Sequence, residues 1–143
     1  MYGQYLSLTH WRSCFKTSGT TKRVSLEVDS AGTIDFHAGN PPDPRSVKVA
    51  EQRGYSFKGI RSRQVTMQDF DDFDLILAAD NHNLADLTAM CPAHLHYKLA
   101  LFLQYGEQDI FEIPDPYYGG SQGFDTVLDL IEAASHTILK KLQ

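Results

Sequence analysis

Residues 75–79 read Leu-Ile-Leu-Ala-Ala, a run of five apolar residues between Asp74 and Asp80. So short a run suits a strand buried on both faces, and such strands belong to parallel sheets covered by helices. Just before it, Thr66-x-x-Asp69 has the spacing of a capping box ahead of Phe70 and Phe73, which starts a short helix. Just after it, Asn83 to Met90 reads as a helix ending before Cys91-Pro92, and Tyr97 to Tyr105 as another closed by Gly106. Toward the N-terminus, Val24, Leu26 and Val28 alternate with polar residues as a strand does, and Asp29-Ser30-Ala31-Gly32-Thr33 reads as the turn that follows. Residues 39–44, Gly-Asn-Pro-Pro-Asp-Pro, exclude regular structure, and Ser46 to Arg53 then forms a short helix stopped by Gly54. The last helix is the clearest. Val127, Leu130, Ile131, Ala134, Ile138 and Leu142 share one face, acids lie near its start, and Lys140 and Lys141 lie near its end, matching the macrodipole. Alternating strands and helices without repeats or a long linker predict one α/β domain.

The chain has 143 residues, enough to bury a core without a disulfide or metal. No apolar run approaches the ~20 residues of a membrane span, and no signal-peptide core opens the chain, so a cytoplasmic protein is expected. Two cysteines, Cys14 and Cys91, make no disulfide framework. The net charge of −5 argues against a nucleic-acid binder, whose footprint would be basic. Its distribution is uneven: residues 1–23 contain Arg12, Lys16, Lys22 and Arg23 and no acid, so all 18 carboxylates follow position 23. That N-terminal segment also lacks a helical stripe or clean alternation, and its Ser, Thr and Gly content suits a loop or disorder.

Residues 114–120 read Pro-Asp-Pro-Tyr-Tyr-Gly-Gly. Asp115 between two prolines is presented on a stiff loop and can be aimed. Tyr117 and Tyr118 offer flat walls for an aromatic substrate, with hydroxyls at the wet rim. The same residues also suit a proline-rich surface turn with its tyrosines packed over the core.

Val28 to Thr33, then His37-x-Gly39-x-Pro41-Pro42-Asp43-Pro44-Arg45, Arg63-Gln64, Ala79-Asp80-x-x-Asn83-Leu84 and Asp115-Pro116-Tyr117-Tyr118-Gly119 follow one another in the order and spacing of the low-molecular-weight protein tyrosine phosphatases. Residues 24–143 resemble that family throughout. The resemblance implies a small three-layer domain with a four-stranded parallel sheet flanked by helices. It also implies hydrolysis of phosphotyrosine, in proteins or small aryl phosphates, without a metal or cofactor; charge and hydropathy have already set nucleic acid and membrane aside as partners. In such enzymes a cysteine thiolate attacks phosphorus and water cleaves the cysteinyl-phosphate. A C-x5-R loop cradles the phosphate with backbone N–H groups while its arginine grips two oxygens. The departing phenolate, with a pKa near ~10, needs a proton. By resemblance Asp115 supplies it, and Tyr117 and Tyr118 line the pocket.

The chain departs from the family where the nucleophile should be. The apolar strand and C-x-G-N-x-C-R-S-P loop expected before Asp29 are absent, and six residues after Cys14 stands Thr20, not arginine. The central N-terminal strand is therefore expected to be missing or replaced, with residues 5–8, Tyr-Leu-Ser-Leu, available to fill its slot. Met1 to Phe15 can be encoded by permitted codons so that a shift of one base reads C-M-G-N-I-C-R-S-P-I-G-G-A-V, the missing loop and the start of its helix. Residues 1–23 thus read as an out-of-frame N-terminal segment before a phosphatase-like domain at 24–143, and the chain as written is expected to be inactive. Two other readings stay open. An arsenate reductase would need further cysteines, whereas residues 24–143 hold only Cys91; a non-catalytic phosphoprotein-binding relic would bind phosphotyrosine without turnover. His94-x-His96 reads as packing or surface histidines, Cys91 as a buried thiol, and the acidic run Asp69, Asp71, Asp72 and Asp74 as a solvated helix end.

Overall fold

The structure, a computed structural model, describes residues 6–12, 25–33, 44–55, 63–114 and 120–142. Strands β1 (Leu6–Arg12) and β2 (Ser25–Ala31) precede helices α1 (Pro44–Gln52) and α2 (Met67–Asp72). Then come β3 (Leu75–Ala78), α3 (Asn81–Met90), a 3-10 turn (Ala93–Lys98), β4 (Leu99–Leu101), α4 (Phe102–Tyr105) and α5 (Gly120–Lys141). Among the described residues the strands form one four-stranded sheet in the order β2-β1-β3-β4.

Strand β3 is buried on both faces, as its composition predicts. Ile76 and Ala78 enter a core with Ala31, Val65, Phe70, Phe73, Leu87 and Leu101. Leu75 and Leu77 enter a second core with Ile138, against which Ala100, Phe102, Tyr105 and Leu142 pack. Alternate side chains of one strand thus meet α2 and α3 on one face and α4 and α5 on the other, which makes the three layers of an α/β domain.

The central strand is replaced. β1 pairs antiparallel with β2 from Leu6↔Ala31 to Arg12↔Ser25, and antiparallel with β3 from Ser7↔Leu77 to Thr9↔Leu75. Since β3 and β4 are parallel, β2, β3 and β4 share one direction and β1 alone runs against them. The three family-like strands keep their parallel sense, while the strand between them makes the sheet mixed. Sequence pattern supplies the reason. A parallel return takes a dozen or more residues and usually a helix; the twelve residues 13–24 reach that length but carry no helical stripe, whereas antiparallel neighbours need no crossover helix. The segment read as a loop is therefore a strand over Leu6–Arg12, and its backbone groups complete ladders that an empty slot would leave unpaired.

Two other elements differ from their sequence reading. The helix expected over Tyr97–Tyr105 is divided, because Leu99, Ala100 and Leu101 pair with Ile76, Leu77 and Ala78; an available strand edge outweighs even the high helix propensity of Leu and Ala. The turn expected at 29–33 begins later, since β2 runs through Ala31.

Gly106 closes α4 and is needed there for space. A β-carbon at this position would lie 2.5 Å from Cβ and 2.6 Å from Cα of Ala134, a fully buried residue of α5. Gly106→Ala should cost about 1–3 kcal/mol by forcing the two helices apart. A urea titration checks this, and an unchanged midpoint would show that the helices separate freely.

Candidate active site

The carboxyl ends of β2 and β3 lie side by side with the start of β1 between them, and in α/β sheets ligands bind beyond such ends. From β3 the chain enters α3 through Asp80, whose side chain accepts the Asn83 N–H at 2.8 Å, an N-cap that satisfies one free donor of the first turn. Glu112 accepts the Asn81 N–H at 2.9 Å, and the Ile113 N–H donates to the Ala79 carbonyl at 2.9 Å. These bonds bring Ile113 and Pro114 to the end of β3. Asp115, Tyr117 and Tyr118 follow and lie outside the described residues; the chain resumes at Gly120 as α5.

The end of β2 is fixed by a strap. The Gly32 N–H donates to the Arg63 carbonyl at 2.8 Å and the Val65 N–H to the Gly32 carbonyl at 2.9 Å, forming a single parallel bridge of Gly32 with Gln64. The Thr33 hydroxyl reaches the Asn83 side-chain oxygen at 3.4 Å, so the ends of β2 and α3 are tied across the sheet edge. Asn83 is buried. The segment with His37, Pro41, Pro42 and Asp43 then lies outside the described residues.

Arg63 supports this strap. Its guanidinium donates to both Asp69 oxygens, at 2.9 and 3.1 Å, and to Asp29 at 3.1 Å. Asp69 also accepts the Thr66 N–H at 2.8 Å, which forms the carboxylate half of the expected capping box. Burial works to raise the Asp69 carboxyl, but the guanidinium and that N–H outweigh it and hold it below the usual carboxylate range. Asp69 is therefore a buried anchor and no part of a solvated run, whereas Asp71, Asp72 and Asp74 are exposed as expected.

A second arginine holds the helix that follows the Asp115 loop. Arg53 donates to Asp129 at 2.7 Å, Asp125 at 2.9 Å and Glu132 at 3.3 Å, and Asp125 is the first cause of its raised pKa. Arg45 lies 5.5 Å from the centroid of the Phe124 ring. Both arginines belong to α1 or its end, so α1 fastens the first turns of α5. Sequence reading missed this clamp, although Asp125, Asp129 and Glu132 at helical spacing mark one acidic stripe that a cation could serve. The Arg63 contacts carried no such signal, since Asp29 is 34 residues away.

The remaining candidates lie elsewhere. Cys91 caps α3 at its far end, ten residues or about 15 Å along the helix from the site. Burial is the first cause that pushes its thiol up, so it stays protonated. His96 Nε2 sits 2.9 Å from the Cys91 carbonyl and 3.1 Å from that of Thr88, which makes it a packing histidine at the end of α3. Cys14 lies outside the described residues. β1 nevertheless delivers the chain at Arg12 opposite Ser25, the starting end of β2. Six strand steps separate that end from Leu6, about 20 Å, so β1 finishes at the end of the sheet opposite the one where Ile113 bonds to Ala79.

The family model described as "Low molecular weight phosphotyrosine protein phosphatase" matches residues 12–143. The chain belongs to this family. A provisionally named low molecular weight protein-tyrosine-phosphatase of Synechocystis sp. is 44% identical over 121 residues, covering 83% of this chain and 76% of the relative. The low molecular weight phosphotyrosine protein phosphatase of Homo sapiens is 36% identical over 135 residues, covering 89% and 82%. Among solved structures, a protein tyrosine phosphatase from Entamoeba histolytica superposes with a TM-score of 0.73 at 39% identity, covering 78% of this chain and 72% of that one. The α/β architecture of the family is thus retained around the replaced strand. Among the described residues no helix is long and apolar enough to cross a membrane.

The strap makes a prediction. Arg63→Leu leaves the Asp69 carboxylate without its ion pair, and because Arg63 is one-third exposed the expected loss is about 1–2 kcal/mol at pH 7. The folded Asp69 pKa is depressed, so the pair stabilises above the unfolded value of about 3.9 and its contribution fades as pH falls through the folded value. Urea titrations at pH 7 and pH 3 should therefore show the gap between the two proteins narrowing in acid. A gap independent of pH would assign the effect to the aliphatic stem of Arg63.

Proposed function

We propose that residues 24–143 are the domain of a cytoplasmic phosphotyrosine phosphatase whose nucleophilic loop has been lost to an out-of-frame reading of residues 1–23, leaving the chain as written without turnover. One observation carries this: a chain matched by the family over residues 12–143 contains no C-x5-R at any position. Six residues after Cys14 stands Thr20, and six after Cys91 stands Tyr97. The acid-free composition of residues 1–23 and the one-base shift that yields the whole loop support the same reading. The reversed β1, which finishes at the starting end of β2 rather than beside the carboxyl ends of its neighbours, fits a segment never selected to carry that loop.

In this reading Asp115 is the general acid, placed to protonate the phenolate oxygen as the P–O bond breaks. Tyr117 and Tyr118 are the walls for the substrate ring, and the substrates are phosphotyrosine proteins or small aryl phosphates. Pro114 and the fastened start of α5 hold the two ends of this loop. The test is the nucleotide sequence from upstream of Met1 to Val24. An insertion or deletion near Val24, with the shifted frame reading the loop, is expected; an uninterrupted frame would overturn the proposal.

A further inference from the structure

From Leu99 to Leu139 the chain contains seven carboxylates and no lysine or arginine. Arg53 engages Asp125, Asp129 and Glu132, and Lys141 engages Glu107 at 2.9 Å. Among the described residues, Asp109 and Glu112 have no such cation. Between these two carboxylates stand Ile110 and Phe111, which are 46% and 51% exposed. Most exposed apolar residues need no explanation, but this pair is adjacent in the chain and bracketed by two carboxylates. Glu112 and Ile113 fasten the segment to the start of α3 and the end of β3, and Asp115 follows Phe111 by four residues.

We propose that Ile110 and Phe111, framed by Asp109 and Glu112, form a docking subsite for a polypeptide segment with an apolar side chain beside lysine or arginine, flanking the tyrosine on which the site acts. The last clause rests on the phosphatase reading; the subsite itself does not. Charge selects the partner. Paired carboxylates beside an apolar surface attract a basic and apolar peptide and repel a nucleic-acid backbone or an anionic lipid surface. Aromatic and branched apolar side chains supply most of the contact energy at such surfaces, with the charges setting orientation and choice.

The subsite is tested on the 143-residue chain by fluorescence anisotropy, using unphosphorylated labelled peptides so that phosphate chemistry does not contribute. One peptide carries tyrosine followed by leucine with two lysines nearby; the others replace the lysines by glutamates or the leucine by serine. The lysine and leucine peptide should bind roughly tenfold more tightly than either counterpart. Phe111→Ser should weaken it roughly tenfold while leaving the melting temperature nearly unchanged, because half of that side chain is already in water. Asp109→Asn should weaken binding and flatten its dependence on salt. Equal affinity for the three peptides, undiminished binding by Phe111→Ser, or no binding by any peptide would overturn the subsite. None of those results bears on Asp115, whose role is read separately from leaving-group dependence in a repaired chain.

Discussion

Against a small aryl phosphate the 143-residue chain should turn over about 10⁶-fold more slowly than an intact enzyme of its family, and Cys14→Ser should leave that residual rate unchanged. Removing a covalent nucleophile can cost on the order of 10⁶ in turnover, because the remaining groups act only in concert with it. Three features prevent substitution. The position six residues after Cys14 is Thr20, so no arginine follows at the spacing that grips phosphate. The Cys91 thiol is pushed up by burial and lies at the far end of α3. β1 runs against its neighbours, so the strand finishes at Arg12 at the starting end of β2, remote from the carboxyl ends of β2 and β3. A steady-state assay with a chromogenic phosphate checks this. Turnover typical of the family, abolished by Cys14→Ser, would make Cys14 the nucleophile and refute the account of residues 1–23.

Restoring the shifted frame together with its upstream strand should return phosphotyrosine hydrolysis, and in that protein Asp115→Asn should lower turnover by roughly 10²–10⁴, the range for loss of general acid catalysis. The size of the effect should follow the leaving group. Tyrosine departs as a poor leaving group and needs the proton, whereas a more acidic phenol leaves without help, so activated aryl phosphates should lose less. The pH profile should lose its alkaline limb in the variant, since that limb reports deprotonation of the acid. Tyr117→Ala should instead weaken binding of aromatic substrates by removing a stacking wall. Equal losses on both leaving-group classes would leave Asp115 as a loop-shaping residue between Pro114 and Pro116.

Much of the fold was legible because it rests on local patterns. Leu75–Ala79 is apolar at every position and became the strand with a core on each face. Thr66-x-x-Asp69 became the start of α2, and the apolar face of the last helix brought Ala134 and Ile138 into the interior. The helix read from Asn83 to Met90 starts two residues earlier, at Asn81, behind an Asp80 N-cap that the sequence reading did not assign. The helix read over Tyr97–Tyr105 failed where a partner decided the outcome: Leu99–Leu101 has no strong strand preference and becomes β4 because β3 offers an edge.

The site divided along the same line. The sequence by itself determined the family, through motifs whose order and spacing are linear properties, and it determined the missing C-x5-R, since a covalent spacing is present or absent whatever the fold. The tertiary structure alone decided that Leu6–Arg12 fills the central slot in reverse, because strand direction depends on which ladder can close and not on residue type. It alone joined Arg63 to Asp29, and Arg53 to the acidic stripe of Asp125, Asp129 and Glu132, since a pairing across 34 or 79 residues is not written in either segment by itself. Local chemistry is written in neighbours along the sequence; contacts between distant residues exist only once the packed layers fix their distances.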